Sequence, residues 1–139
     1  MGGSLPAEYD YATWTARWTG GLSAEITGRD HTLHADEPEE FGGADSGPMP
    51  TEILTASLAS CFCMALAWSA KRRNVELTEI EVDVRPERPG QAPRLGAFDV
   101  WVRASAPPDV LAPLVDLAKR VCWVSNTLAN PPEIRYHLD

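Results

Sequence analysis

The chain is short of positive charge. Twelve lysines and arginines face twenty acidic residues, a formal net charge of −8, and the one basic run is Lys71-Arg72-Arg73. A nucleic-acid partner needs a basic face for its phosphates, so that class is set aside. Met1-Gly2-Gly3-Ser4-Leu5 lacks the basic and apolar regions of a secretory leader, and a cytoplasmic location is expected. Cysteine is scarce as well. Three of them make an odd number too small for a disulfide scaffold, so any chemistry they do is done as thiols. There is no HExxH zinc signature and no serine nucleophile elbow. His31 and His34 stand near Asp30, Asp36 and Glu37, but on a strand their odd spacing turns them to opposite faces, so no metal site is expected.

What the chain does have is a long uncharged run. Pro50 to Lys71 reads PTEILTASLASCFCMALAWSAK, with no charge between Ile53 and Ala70. Pro50 suits a first helical position, Glu52 the positive end of a helix dipole, Lys71 to Arg73 the negative end, and Asn74 a stop. The run is long enough for a membrane span. Its serines, threonine and alanines, its isolation, and the strand-like sequence around it favour a central helix packed in protein, with no membrane partner. Ala56 and Ser60, and Ala59, Cys63 and Ala67, recur at spacing four, which lets another helix approach closely. A chain this small rarely surrounds such a helix alone, and a homodimer would do so.

The 139 residues suit one domain, 1–139. Thr13 to Trp18, Leu22 to Thr27 and His31 to Ala35, divided by turn residues, predict an antiparallel meander with Trp14 and Trp18 on one face, in the core or at an interface. Asp36 to Met49 is a glycine-, proline- and acid-rich loop. Strict alternation from Ile80 and again over Phe98 to Arg103 predicts a hairpin joined by a loop over Arg85 to Pro93. Pro107-Pro108-Asp109 opens a second helix with one apolar face, ending near Trp123 with Ser125-Asn126 as the exit turn; Pro113 would delay or kink it. Glu133 to Leu138 alternates again, as a final strand. The class is α+β, without a doubly wound pattern.

Cys61 and Cys63 look like a redox pair, yet two residues along a helix turns them about 200° apart. Taken singly, each cysteine reads as core packing. Cys122, near the end of the second helix, would meet the first helix if the two pack, and one thiol on each of two adjoining helices permits attack, oxidation and resolution.

Here the residues resemble the OsmC/Ohr family. The match is PMPTEILTASLASC from Pro48 to Cys61, the glycine loop at Gly42-Gly43 before it, and CWVSNTL from Cys122 to Leu128. The resemblance implies an intertwined homodimer with long central helices enclosed by antiparallel sheets. It implies thiol-dependent reduction of organic hydroperoxides, an antioxidant stress-response role, with no metal, flavin or haem cofactor and an external thiol reductant such as a dihydrolipoyl dithiol. By motif position Cys61 resembles the peroxidatic cysteine, Cys122 the resolving one, and Glu52 the family's acidic residue; Cys63 has no counterpart.

A thiol is mostly protonated near neutral pH, so a nearby cation is expected. The family's turn arginine is absent from Thr19-Gly20-Gly21-Leu22, which leaves Arg17 and Arg29 as candidates. Trp123 replaces the family's usual proline and would close the pocket or block it. Glu52 lies nine residues before Cys61, half a turn out of phase on a helix, which suits service to a neighbouring chain's site, orientation of an arginine, or simple helix capping. Ile53, Leu54, Phe62, Met64 and Trp68 are candidates for a greasy substrate lining or for dimer core. The alternative function is a non-catalytic dimer holding an apolar ligand or partner.

Overall fold

The computed structural model describes residues 9–139. They fall into two compact units, 9–54 and 55–139.

The first unit is the expected meander: β1 (Thr15–Gly20), β2 (Ser23–Gly28) and β3 (His31–Ala35), antiparallel in sequence order. The register puts Ala16, Ile26 and Leu33 in one row and Arg17, Glu25 and His34 in the next, so one sheet face is apolar and the other polar. Gly20 (φ 110°) and Gly21 (φ 54°) make the first turn in a conformation few other residues adopt. Gly28 is required for a different reason, because a side chain there would collide with the Trp14 ring. Trp14 and Trp18 do share a face, but they are 47% and 74% exposed, so neither is core in this chain.

The loop after β3 is tied by one carboxylate. Asp36, 2% exposed, accepts hydrogen bonds from the N–H groups of Glu37, Ala44 and Ser46 and, at 2.6 Å, from the Ser46 hydroxyl. These donors favour the ionised carboxylate, with the Ser46 hydroxyl foremost, and lower its pKa to about 2. A 3-10 turn, Glu39–Phe41, lies within the loop.

The long helix α1 spans Pro50–Arg72. At its start, Glu52 Oε1 accepts the Met49 N–H at 2.9 Å, the second half of a capping box. At its end, Asn74 (φ 56°) is left-handed, its N–H donates to Lys71 O, and Val75 N–H donates to Ala70 O. That pair of bonds is a Schellman stop, and Asn74 tolerates the conformation it demands.

In the second unit, Leu58, Cys61, Phe62, Ala65, Leu66 and Ala70 of α1 form the core with Leu114, Ala118 and Cys122. α1 is long and apolar enough to cross a membrane by length and composition, but this face is packed in protein. Ser69, fully buried, donates to Ala65 O at 2.7 Å, which satisfies the one polar side chain of the helix's buried face. The opposite side of α1 exposes Ala56, Ser60, Met64 and Ala67. β4 (Glu81–Glu87) and β5 (Ala97–Arg103) pair antiparallel, with β4 running three residues into the expected loop. Val82, Val84, Phe98 and Val102 pack on the core. α2 (Pro108–Val121) begins at Pro108 and continues through Pro113.

Two expectations fail. The exit turn at Ser125-Asn126 is instead a helix, α3 (Trp123–Ala129), after a break at Cys122 (φ −76°, ψ 108°). Ser125 and Thr127 donate their hydroxyls back to Cys122 O and Trp123 O, so residues that favour turns are absorbed into helical geometry. Glu133 to Leu138 pairs with no strand among the described residues, and Ile134, Tyr136 and Leu138 are 70%, 88% and 101% exposed. Alternation makes a segment fit to be a strand; it does not supply an edge to pair with.

Candidate functional site

Within the second unit, α1 carries Cys61 at 8% exposure, and the α2–α3 break places the fully buried Cys122 against it. Both are free thiols within the same buried cluster. The break has a second effect. Because Cys122 is extended, the first N–H groups of α3, those of Trp123 and Val124, are directed at the Cys61 sulfur.

These features act in opposite directions on Cys61. Burial, the largest influence, pushes its pKa up, the Val124 N–H pulls it down, the Cys122 thiol raises it, and the Trp123 N–H lowers it. The net direction is upward. Cys63 points elsewhere, its thiol 3.9 Å from Ile80 O, as helical phase requires.

Beside this pair lies an apolar groove of about 620 Å³, walled by Leu58 and Phe62 of α1, the inner side chains of β5, and residues of α2 and α3, with Lys119 its one charged wall residue. Of the five residues put forward as a greasy lining, Phe62 alone borders it. Trp123 neither closes nor blocks it. Its ring is 57% exposed and borders another groove, with Arg120, Asn126 and Asn130.

The remaining candidates lie in the first unit. Glu52 caps α1. Arg17 stands on the polar sheet face opposite Glu25. Arg29, left-handed at φ 51° in the β2–β3 turn, has Nη2 3.2 Å from His31 Nε2. His34 instead meets Ser46 Oγ at 2.9 Å, and the described residues hold no group of three metal-ligating side chains. Sequence reasoning missed the two N–H donors, which belong to the backbone, and the groove wall from Val100, Val115 and Leu128. The one available signal was Trp in place of proline, since proline has no N–H to offer.

Antiparallel sheets with a long apolar helix that presents one buried cysteine to another define the class of small α+β thiol proteins. The chain resembles an OsmC-like protein from Mycoplasma pneumoniae (16% identity, 91% of each chain, TM-score 0.72). It also resembles an organic hydroperoxide resistance protein OsmC of Legionella pneumophila (22% identity, 88% of this chain and 91% of that one, TM-score 0.67) and the organic hydroperoxide resistance protein OhrB of Bacillus subtilis (26% identity, 88% and 93%, TM-score 0.60). The OsmC-like protein family matches residues 43–137, and the chain belongs to that family.

Proposed function

We propose that the protein is a cysteine-based peroxidase acting on organic hydroperoxides. The observation that carries this reading is the contact of two free thiols on adjoining helices, one of them facing two backbone N–H groups. Two relatives of the same fold bear the name of organic hydroperoxide resistance proteins, which fits it.

The Cys61 thiolate attacks one peroxide oxygen. The O–O bond breaks, an alcohol leaves after taking up a proton, and Cys61 becomes a sulfenic acid. Cys122 then attacks that sulfur, water leaves, and a Cys61–Cys122 disulfide remains for an external thiol or dihydrolipoyl-type dithiol to reduce. No metal, flavin or haem takes part. Burial opposes the thiolate, so the reading needs a cation as well as the two N–H groups; Arg17 or Arg29 serves, oriented by the second oxygen of Glu52. We read residues 1–139 as one OsmC-like domain that works as a cytoplasmic homodimer, with the exposed Ala56, Ser60, Met64 and Ala67 of α1 and the exposed tryptophans at the interface. A dimer also covers the bare apolar face of the first sheet.

The test is mass spectrometry under non-reducing conditions after one equivalent of an alkyl hydroperoxide. A Cys61–Cys122 disulfide formed within seconds, with Cys63 free, is the expected outcome. Unmodified thiols after minutes in folded, reduced protein would refute it. The second reading, a dimer that holds an apolar ligand with idle cysteines, draws on one observation: burial, the largest influence on Cys61, pushes its pKa up.

A further inference from the structure

The break between α2 and α3 reassigns two backbone donors. In an unbroken helix each N–H donates to the carbonyl four residues earlier, so Trp123 N–H belongs to Lys119 O and Val124 N–H to Arg120 O. Among the described residues neither bond is made. Cys122 is extended (φ −76°, ψ 108°), and both N–H groups face the Cys61 sulfur instead. Two carbonyls at the end of α2 thereby lose their helical donors.

A side chain replaces one of them. Asn126 Nδ2 donates at 3.1 Å to Arg120 O, the carbonyl from which Val124 N–H has been withdrawn. A carbonyl only accepts, so it is the amide nitrogen and not the amide oxygen that faces it. The Asn126 main chain is fixed too, its N–H donating to Cys122 O at 3.1 Å. Cys122 is therefore held from both sides: its own N–H donates to Ala118 O of α2 at 2.9 Å, while its carbonyl accepts from α3. Two arrangements satisfy Arg120 O. Either the Asn126 amide takes it and the break stays open, or Val124 N–H returns to it and the helix runs on through Cys122.

We infer that Asn126 is a positioning residue: by taking the place of Val124 N–H on Arg120 O, its amide keeps the α2–α3 break open and so holds the Trp123 and Val124 N–H groups on the Cys61 sulfur. Asn126 is exposed, and a solvated hydrogen bond of this kind adds little to folding stability. Its consequence is the direction of two donors. Asparagine suits the role because its amide reaches a backbone carbonyl while its own main chain stays helical. Leucine has nearly the same volume and no donor.

This role deepens the proposed thiol chemistry and rests on its premise that the Cys61 thiolate is the working form; its test uses no peroxide. Iodoacetamide labelling of Cys61 is followed against pH in the wild-type chain, Asn126→Leu and Asn126→His, with Cys63 as internal reference. Asn126→Leu is expected to slow Cys61 labelling near neutral pH roughly threefold or more, since hydrogen bonds to a charged sulfur are lost. The labelling of Cys63 and the far-UV circular dichroism stay as in wild type. Asn126→His places an Nδ1–H at the same point of the side chain, and it restores the wild-type profile. Should Asn126→Leu fail to fold, Asn126→Ala, a change tolerated at an exposed helical position, takes its place in the same assay. Superimposable profiles in folded protein, or a shift that histidine does not reverse, would overturn the role. Labelling and peroxide oxidation separate the two readings. A wild-type chain inert to an alkyl hydroperoxide whose profile still responds to Asn126 sinks the peroxidase and keeps the positioning residue; a rapid Cys61–Cys122 disulfide with superimposable profiles does the reverse.

Discussion

Replacing Trp123 with proline removes one hydrogen from the site. Residue 123 opens α3, the position where proline is best tolerated, so the backbone has no reason to move. What disappears is the N–H directed at the Cys61 sulfur. A hydrogen bond to a charged group is worth about 1.5–3 kcal/mol, and about 1.4 kcal/mol is a tenfold change in a population. The Trp123 N–H is the weakest of the named influences on Cys61, so Trp123→Pro lowers the Cys61 thiolate fraction near neutral pH by at most about tenfold, and the alkylation rate falls with it. Trp123→Phe keeps the N–H and is the control for the lost indole. The assay follows iodoacetamide labelling of Cys61 against pH by peptide mass spectrometry, with Cys63 as internal reference. The proline variant's profile shifts to higher pH and the phenylalanine variant's does not. Identical profiles for the two would refute the assignment of that N–H to the thiolate.

Other outcomes follow from the packing. Leu66, fully buried in the core, is destabilising when cut to alanine, by about 2–5 kcal/mol in urea or guanidinium titration. Asp36 has a pKa lowered to about 2, so its contribution is complete above the ordinary aspartate range and is lost as pH falls from about 4 towards that value. Amide exchange at Ala44 and Ser46 speeds up over that window, and Asp36→Asn shows the faster exchange already at neutral pH. Cys63→Ser leaves the peroxide-induced Cys61–Cys122 disulfide within about twofold of its wild-type rate, since the two thiols point to different sides of α1.

The sequence made α1 legible because every local signal agreed: a proline start, a stretch without charge, cations and an asparagine at the close. The two hairpin strands and the meander were legible for the same reason. α3 was not, because Ser125 and Asn126 read as a turn while their hydroxyl and amide groups fold back onto the carbonyls of Cys122 and Arg120. The segment at 133–138 showed its amphipathic pattern but could not show that its own chain leaves it unpaired. At the site, side-chain identity located Cys61 and Cys122. What bears on the Cys61 sulfur besides burial and Cys122 is main chain, and side-chain patterns are silent about where an N–H points.

The two thiols are themselves part of the core, in contact with the same side chains that hold α1 and α2 together. Most enzymes can trade mutations between scaffold and cleft with some independence. Here the residues Ala65 and Ala118, both with no exposed surface, share one core cluster with the two sulfurs. A single added methylene at either would strain the packing that also holds the two thiols. The substitutions this helix pair tolerates are thereby those that alter neither volume nor phase.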